Sequence, residues 1–189
     1  MQHPVLIQGG MGVAVSNWKL AKTVSKSGNL GVISGTCIDS VIVRRLQEGD
    51  PAGDVRRAMS HFPRPEIAEE VISKYYIPDG IAPGRPYKML PMFGPKDDLN
   101  RQLIATLAAF VEVYLAKEGH DGVVGINLLT KIQLPNLPTL YGAMLAGVDY
   151  VLMGAGIPRE IPGAIAAFVE HRAASLVIDE DGAITATAG

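Results

Sequence analysis

Val5-Leu6-Ile7-Gln8-Gly9-Gly10-Met11-Gly12-Val13-Ala14-Val15-Ser16 reads as a short apolar strand, a glycine turn and a helix start. Residues 5–7 form a continuous apolar run, the pattern of a strand buried on both faces. Gly9, Gly10 and Gly12 reach backbone angles closed to other residues and let a flat ligand come close to the main chain. Ser16 is placed to cap a helix beginning near Asn17. The chain thus opens with a strand whose carboxyl end carries a loop suited to binding.

The same pattern recurs downstream. Apolar runs at 30–34, 123–129, 150–153 and 175–178 read as further strands, and stretches with apolar residues at helical spacing lie between them. Strands alternating with helices predict a parallel sheet covered by helices, five strands in all. Residues 41–121 are too long for one crossover and read as a helical insertion between the second and third strands. Within it, Asp50-Pro51 is expected to restart a helix with proline at its first position. Residues 87–93 resemble a strand, but Pro91 restricts them to an edge or a non-strand. Asp181-Gly182 reads as a turn.

At 189 residues one domain with a sizeable core is expected, spanning 1–189. The chain is 48% hydrophobic, with a mean hydropathy of +0.20. No run reaches the roughly 18 apolar residues of a membrane span, so the excess is assigned to core or to an interface and no membrane partner is expected. A formal net charge of -2 gives no electrostatic reason to expect nucleic acid. The single cysteine, Cys37, excludes an internal disulfide framework and a cysteine-rich zinc site. Cys37 lies just past the second strand, where a small buried thiol is the commoner role. His3, His61, His120 and His171 lack a metal-binding spacing, so no metal is expected. The start lacks the regions of a signal peptide, which makes the cytoplasm the default expectation.

In parallel α/β folds ligands bind at the carboxyl ends of the strands. Here those ends carry Gln8, Gly9, Gly10, Met11 and Gly12; Ser34; Asn127; and Gly154, Ala155 and Gly156. The set offers backbone donors, amides and hydroxyls, with no carboxylate and no histidine. It suits a polar heteroaromatic ring better than acid–base chemistry by side chains, which needs a proton carrier, and no catalytic residue is assigned. The glycines serve tight turns equally well. Asn127, inside an apolar strand, must find a hydrogen-bond partner, either a neighbouring loop or a ligand. Neither a dinucleotide fingerprint nor a phosphate loop of the Gly-Lys-Ser/Thr type is present.

Three stretches in order carry a family likeness: residues 8–12 with 30–34 following, residues 125–129, and residues 149–158 (Asp-Tyr-Val-Leu-Met-Gly-Ala-Gly-Ile-Pro). Together they resemble the nitronate monooxygenase family, formerly 2-nitropropane dioxygenases, which includes flavin-dependent enoyl reductases. The resemblance implies an FMN-binding (β/α)8 barrel of the TIM type, of which this chain is the amino-terminal part. It implies that Gln8 to Gly12, Ser34 and Asn127 contact FMN, with Gly154, Ala155 and Gly156 on the substrate side. The implied reaction is oxidation of an alkyl nitronate with oxygen, ending in nitrite and a carbonyl compound. An eight-unit barrel needs about 250 residues, and the family's later Gly-Gly-His stretch is not found here. A truncated chain is therefore expected, one that alone binds FMN poorly and turns over little, with an open sheet edge prone to association into a homo-oligomer. Two alternatives stand beside this reading: an enoyl-thioester reductase of fatty-acid or polyketide synthesis, and a non-catalytic α/β interaction module.

Overall fold

The computed structural model describes residues 3–94, 98–178 and 184–188. The chain forms a mixed α/β fold around a small parallel sheet. Helix α1 (Trp18–Lys26) leads into strand β1 (Gly31–Ser34), followed by α2 (Ile38–Gln47), α3 (Asp54–Met59), α4 (Pro65–Tyr75) and α5 (Leu99–Lys117). Strand β2 (Val124–Leu129), α6 (Asn136–Leu145), β3 (Tyr150–Gly154) and α7 (Ile161–Val169) complete the main body. The sheet runs β1-β2-β3, all parallel, with Ser34 opposite Asn127 and Asn127 opposite Leu152.

The helices that touch the sheet lie on one face. Gly31 turns its bare α-carbon to α1, where a Cβ would collide with the Ala21 carbonyl. Helix α5 packs between α1 and α6. It contributes more buried residues than any other described helix, with Leu107, Val111, Val113 and Leu115 essentially inaccessible. Such burial all round suits its composition, since only a helix with neighbours on several sides can afford so few polar positions. The stretch 41–121 therefore contributes α5 directly to the layer over the sheet, while α2, α3 and α4 extend that layer laterally.

Glu112 is a charged residue inside this apolar helix, 2% exposed. Its carboxylate receives the Trp18 N–H at 3.0 Å and pairs with Arg45. Arg45 thus reaches into the core. Burial pushes the Glu112 carboxyl above its ordinary 4.5, and Arg45 and the Trp18 N–H only partly offset this. A carboxyl raised on folding binds its proton more tightly in the native state. Its contribution to stability is full below pH 4.5 and is lost as pH rises through the folded value. Glu112→Gln is expected to flatten the pH dependence of the urea midpoint above pH 4.5; an unchanged slope would assign that dependence elsewhere.

Several sequence expectations are corrected. Residues 5–7 do not form a doubly buried strand: they make one parallel bridge, Ile7 to Leu30, and Val5, Leu6 and Ile7 are 85%, 65% and 58% exposed. The ladder stops because the Gln8 side chain replaces the main chain, its Oε1 accepting the Val32 N–H at 3.0 Å. Asn17, not Ser16, caps α1, accepting from the N–H groups of Lys19 and Leu20. Asp50-Pro51 lies in a turn, and Asp50 accepts from Val55 and Arg56 at the start of α3. Residues 87–93 are irregular. The parallel sheet has three strands rather than five. Residues 175–178 belong to β4 (Ala174–Ile178), which pairs antiparallel with β5 (Ile184–Ala188). The Asp181-Gly182 turn lies outside the described residues. No helix among the described residues is long and apolar enough to cross a membrane.

Candidate functional site

The glycine loop covers the face of the sheet opposite the helices, resting on Val32 and Asn127. Two side chains shape that loop. Ser16 is buried; its hydroxyl donates to the Met11 carbonyl at 2.7 Å and accepts from Gln8 Nε2 at 3.1 Å. The Ser16 carbonyl accepts the Ser34 N–H at 2.8 Å, which ties the loop to the end of β1. Gly10 is pressed onto the sheet: a Cβ there would sit 2.5 Å from Val32 Cγ1 and 2.8 Å from Asn127 Cβ. No side chain fits, so glycine is required at this position by packing.

Asn127 meets that loop. Its Nδ2 donates to the Gly10 carbonyl at 3.2 Å and lies 3.4 Å from the Met11 sulfur. Its Oδ1 accepts nothing among the described residues and faces Gly154, where a Cβ would lie 3.9 Å from it. Ser34 sits beside Asn127 in register. The structure therefore brings Gln8, Gly9, Gly10, Met11, Ser34 and Asn127 into one patch at the carboxyl ends of the strands, bordered by Gly154. Gly154 is itself fixed by Thr130, whose N–H and hydroxyl both donate to its carbonyl at 2.8 Å. Ala155 and Gly156 follow on an exposed turn. The N–H groups of Gly9, Gly12 and Val13 donate to nothing among the described residues.

Three non-glycine residues at this rim hold positive φ: Ala14 at 61°, Cys37 at 54° and Ala155 at 60°. Each such conformation costs on the order of 1–3 kcal/mol and persists only where the surroundings impose it. Cys37 is exposed rather than buried, the reverse of the sequence expectation.

A cavity of about 660 Å³ opens at the same end of the sheet. Gly35, the turn into α2, the segment 89–94, Arg101 and the β2–α6 loop from Lys131 to Pro135 line it. Its wall is mainly apolar, from Met89, Leu90, Met92, Phe93, Ile132 and Leu134. The segment 89–94 is held by Arg101, whose Nε donates to the Pro91 carbonyl at 2.7 Å and whose guanidinium lies 4.1 Å from the Phe93 ring centre. Arg101 Nη1 in turn lies 2.6 Å from Asp39 Oδ2, both side chains 6% exposed. The charge of this buried pair is balanced internally, which leaves Lys131 at the rim as a cation with no ion pair among the described residues.

None of residues 8–12, nor Asn127, lines this cavity; Gly35, hydrogen-bonded through its N–H to the Asn127 carbonyl at 2.8 Å, connects the two regions. Sequence reasoning missed Asp39, Arg101, Lys131 and the segment 89–94. The available signal was an arginine in the first turn of an otherwise apolar helix, following a proline-broken run rich in methionine. No group of three metal-ligating side chains occurs among the described residues. Comparison with protein-family models, with curated proteins and with solved structures finds no match for this chain.

Proposed function

We propose that this chain is an FMN-dependent oxidoreductase of the nitronate monooxygenase type, built on part of a (β/α)8 barrel. The observation that carries the reading is the meeting of the Gly10 loop and Asn127 at the carboxyl end of the parallel sheet. Helices on one face only, with sequential strand order, support a barrel arc over a doubly wound sheet, which carries helices on both faces. The site's chemistry fits a flavin ring. Free N–H groups at Gly9, Gly12 and Val13 suit its carbonyl and nitrogen acceptors, and the free Oδ1 of Asn127 suits an imide N–H. Lys131, without an ion pair among the described residues, offers a positive charge for a phosphate.

FMN would supply the electron chemistry, removing a hydride equivalent or electrons from the substrate and delivering them to oxygen. The chain's residues hold and polarise. Gly10 and Ser16 keep the loop flat against the sheet. Asn127 is oriented by its bond to the Gly10 carbonyl, and that leaves its oxygen to select for the ring.

Titration of the purified chain with FMN, followed by quenching of flavin fluorescence, tests this directly. One-to-one binding is expected, weakened about tenfold in Asn127→Ala, the loss of one hydrogen bond. Absence of binding by the wild-type chain would overturn the reading. With binding in hand, nitrite release from an alkyl nitronate identifies the reaction. The size and apolar lining of the cavity favour a second reading, an enoyl-thioester reductase, because a small nitronate fills little of 660 Å³. Flavin-dependent NAD(P)H oxidation on addition of an enoyl thioester, without nitrite chemistry, would select it.

A further inference from the structure

We infer that two copies of this chain close one eight-stranded barrel, each copy seating its amino-terminal segment against β3 of the other. Counting the bridged segment 5–8, one copy holds four parallel neighbours in sequential order: this segment, β1, β2 and β3. Both outer edges are open. Gln8 N–H and the Leu6 carbonyl are spent on Leu30, so Ile7 turns its own N–H and carbonyl away from the sheet. On β3, the Gly154 carbonyl bonds to Thr130, so by alternation Met153 presents its main chain outward. No described residue hydrogen-bonds to either edge.

The polarity of these edges selects the partner. The bridged segment and the three strands all run the same way, so a two-fold axis along the barrel sets the amino-terminal segment of one copy parallel to β3 of the other, twice. Four and four make the eight strands at which such a barrel closes. Closure also removes both edges, the surest protection against open-ended pairing. The surface agrees. Val5, Leu6, Ile7, Met11, Val15 and Ile157 are each more than half exposed. A stable interface needs roughly 800 Å² per partner, and six large apolar side chains with their flanking backbone supply area of that order. All five β3 residues are only half-buried, against the fully buried β1, which marks the same open side. The inference rests on the barrel reading of the sheet and is independent of flavin.

Sedimentation equilibrium of the 189-residue chain is the test. The wild type is expected at twice the 20.1 kDa of one chain. Ile7→Pro removes only an outward-pointing N–H, and its restriction on Leu6 is compatible with an extended chain. Val5→Lys places a charge on an exposed position without touching the backbone. Both are expected to weaken association at least a hundredfold while helical circular dichroism is unchanged, and the Ile7 amide of the wild type is expected to be protected from hydrogen exchange. A wild-type monomer, an open series of larger species, or full retention of the pair in both variants would overturn the inference. A dimer that fails to bind FMN would leave it standing and sink only the flavin proposal.

Discussion

Gly142→Ala is expected to destabilise the chain by about 3 kcal/mol, lowering Tm by roughly 6–12 °C for a domain of this size. Two effects oppose each other here. Alanine is the better helix former by about 1 kcal/mol, and in an exposed helix the substitution would stabilise. Gly142, however, is the contact point between α6 and α5. A Cβ there would collide with the Thr106 carbonyl and lie 2.9 Å from Thr106 Cα. These are backbone atoms of a largely buried helix, and no side-chain rotation relieves the clash. The helices must separate, and separation loosens the packing of Leu107 and Leu140 around the contact. Packing therefore wins over propensity. A thermal melt at or above the wild-type midpoint would show that α5 and α6 can slide apart at little cost.

The second large effect concerns the wall of the cavity. Asp39→Ala strands the Arg101 guanidinium, 6% exposed, without its counter-charge. Breaking one side of a buried pair costs about 3–5 kcal/mol because a desolvated charge is left alone. Replacing both partners, as Asp39→Leu with Arg101→Met, is expected to cost less than Asp39→Ala alone, since no charge remains to be solvated. The double variant also removes the donor to the Pro91 carbonyl and the cation over Phe93, so it frees the segment 89–94. Limited proteolysis within that segment is expected to accelerate in both variants, and urea unfolding gives the two stabilities. A double variant less stable than Asp39→Ala would show that the pair contributes more by holding the segment than it costs in desolvation.

Much of the site was legible because it depends on short-range chemistry. A polar amide inside an apolar strand must find a partner, and Asn127 found Gly10. The glycine cluster marked a place where backbone comes close to something, although at Gly10 that something is the sheet itself. Helices lie between the strands where apolar spacing placed them, and the cap of α1 moved by one residue, from Ser16 to Asn17. The cavity was not legible. Its lining comes from α2, α5, the segment 89–94 and the β2–α6 loop, four pieces far apart in sequence that meet only when α5 packs between α1 and α6. Cys37 likewise looked like a buried thiol, and its exposure depends on the left-handed turn into α2.

The amino-acid order by itself determined the alternation of strands and helices, the parallel class of the sheet, and the glycine loop and strand amide, Gly10 and Asn127, at its carboxyl end. These follow from local periodicity and from the cost of burying an unpaired amide. Tertiary structure alone decided how many strands join the sheet. An apolar run commits to a ladder only if a neighbour offers its edge. Residues 5–7 lose that contest after one bridge because the Gln8 side chain takes the place of the next peptide. Residues 175–178 lose it because β5 offers them an antiparallel partner instead.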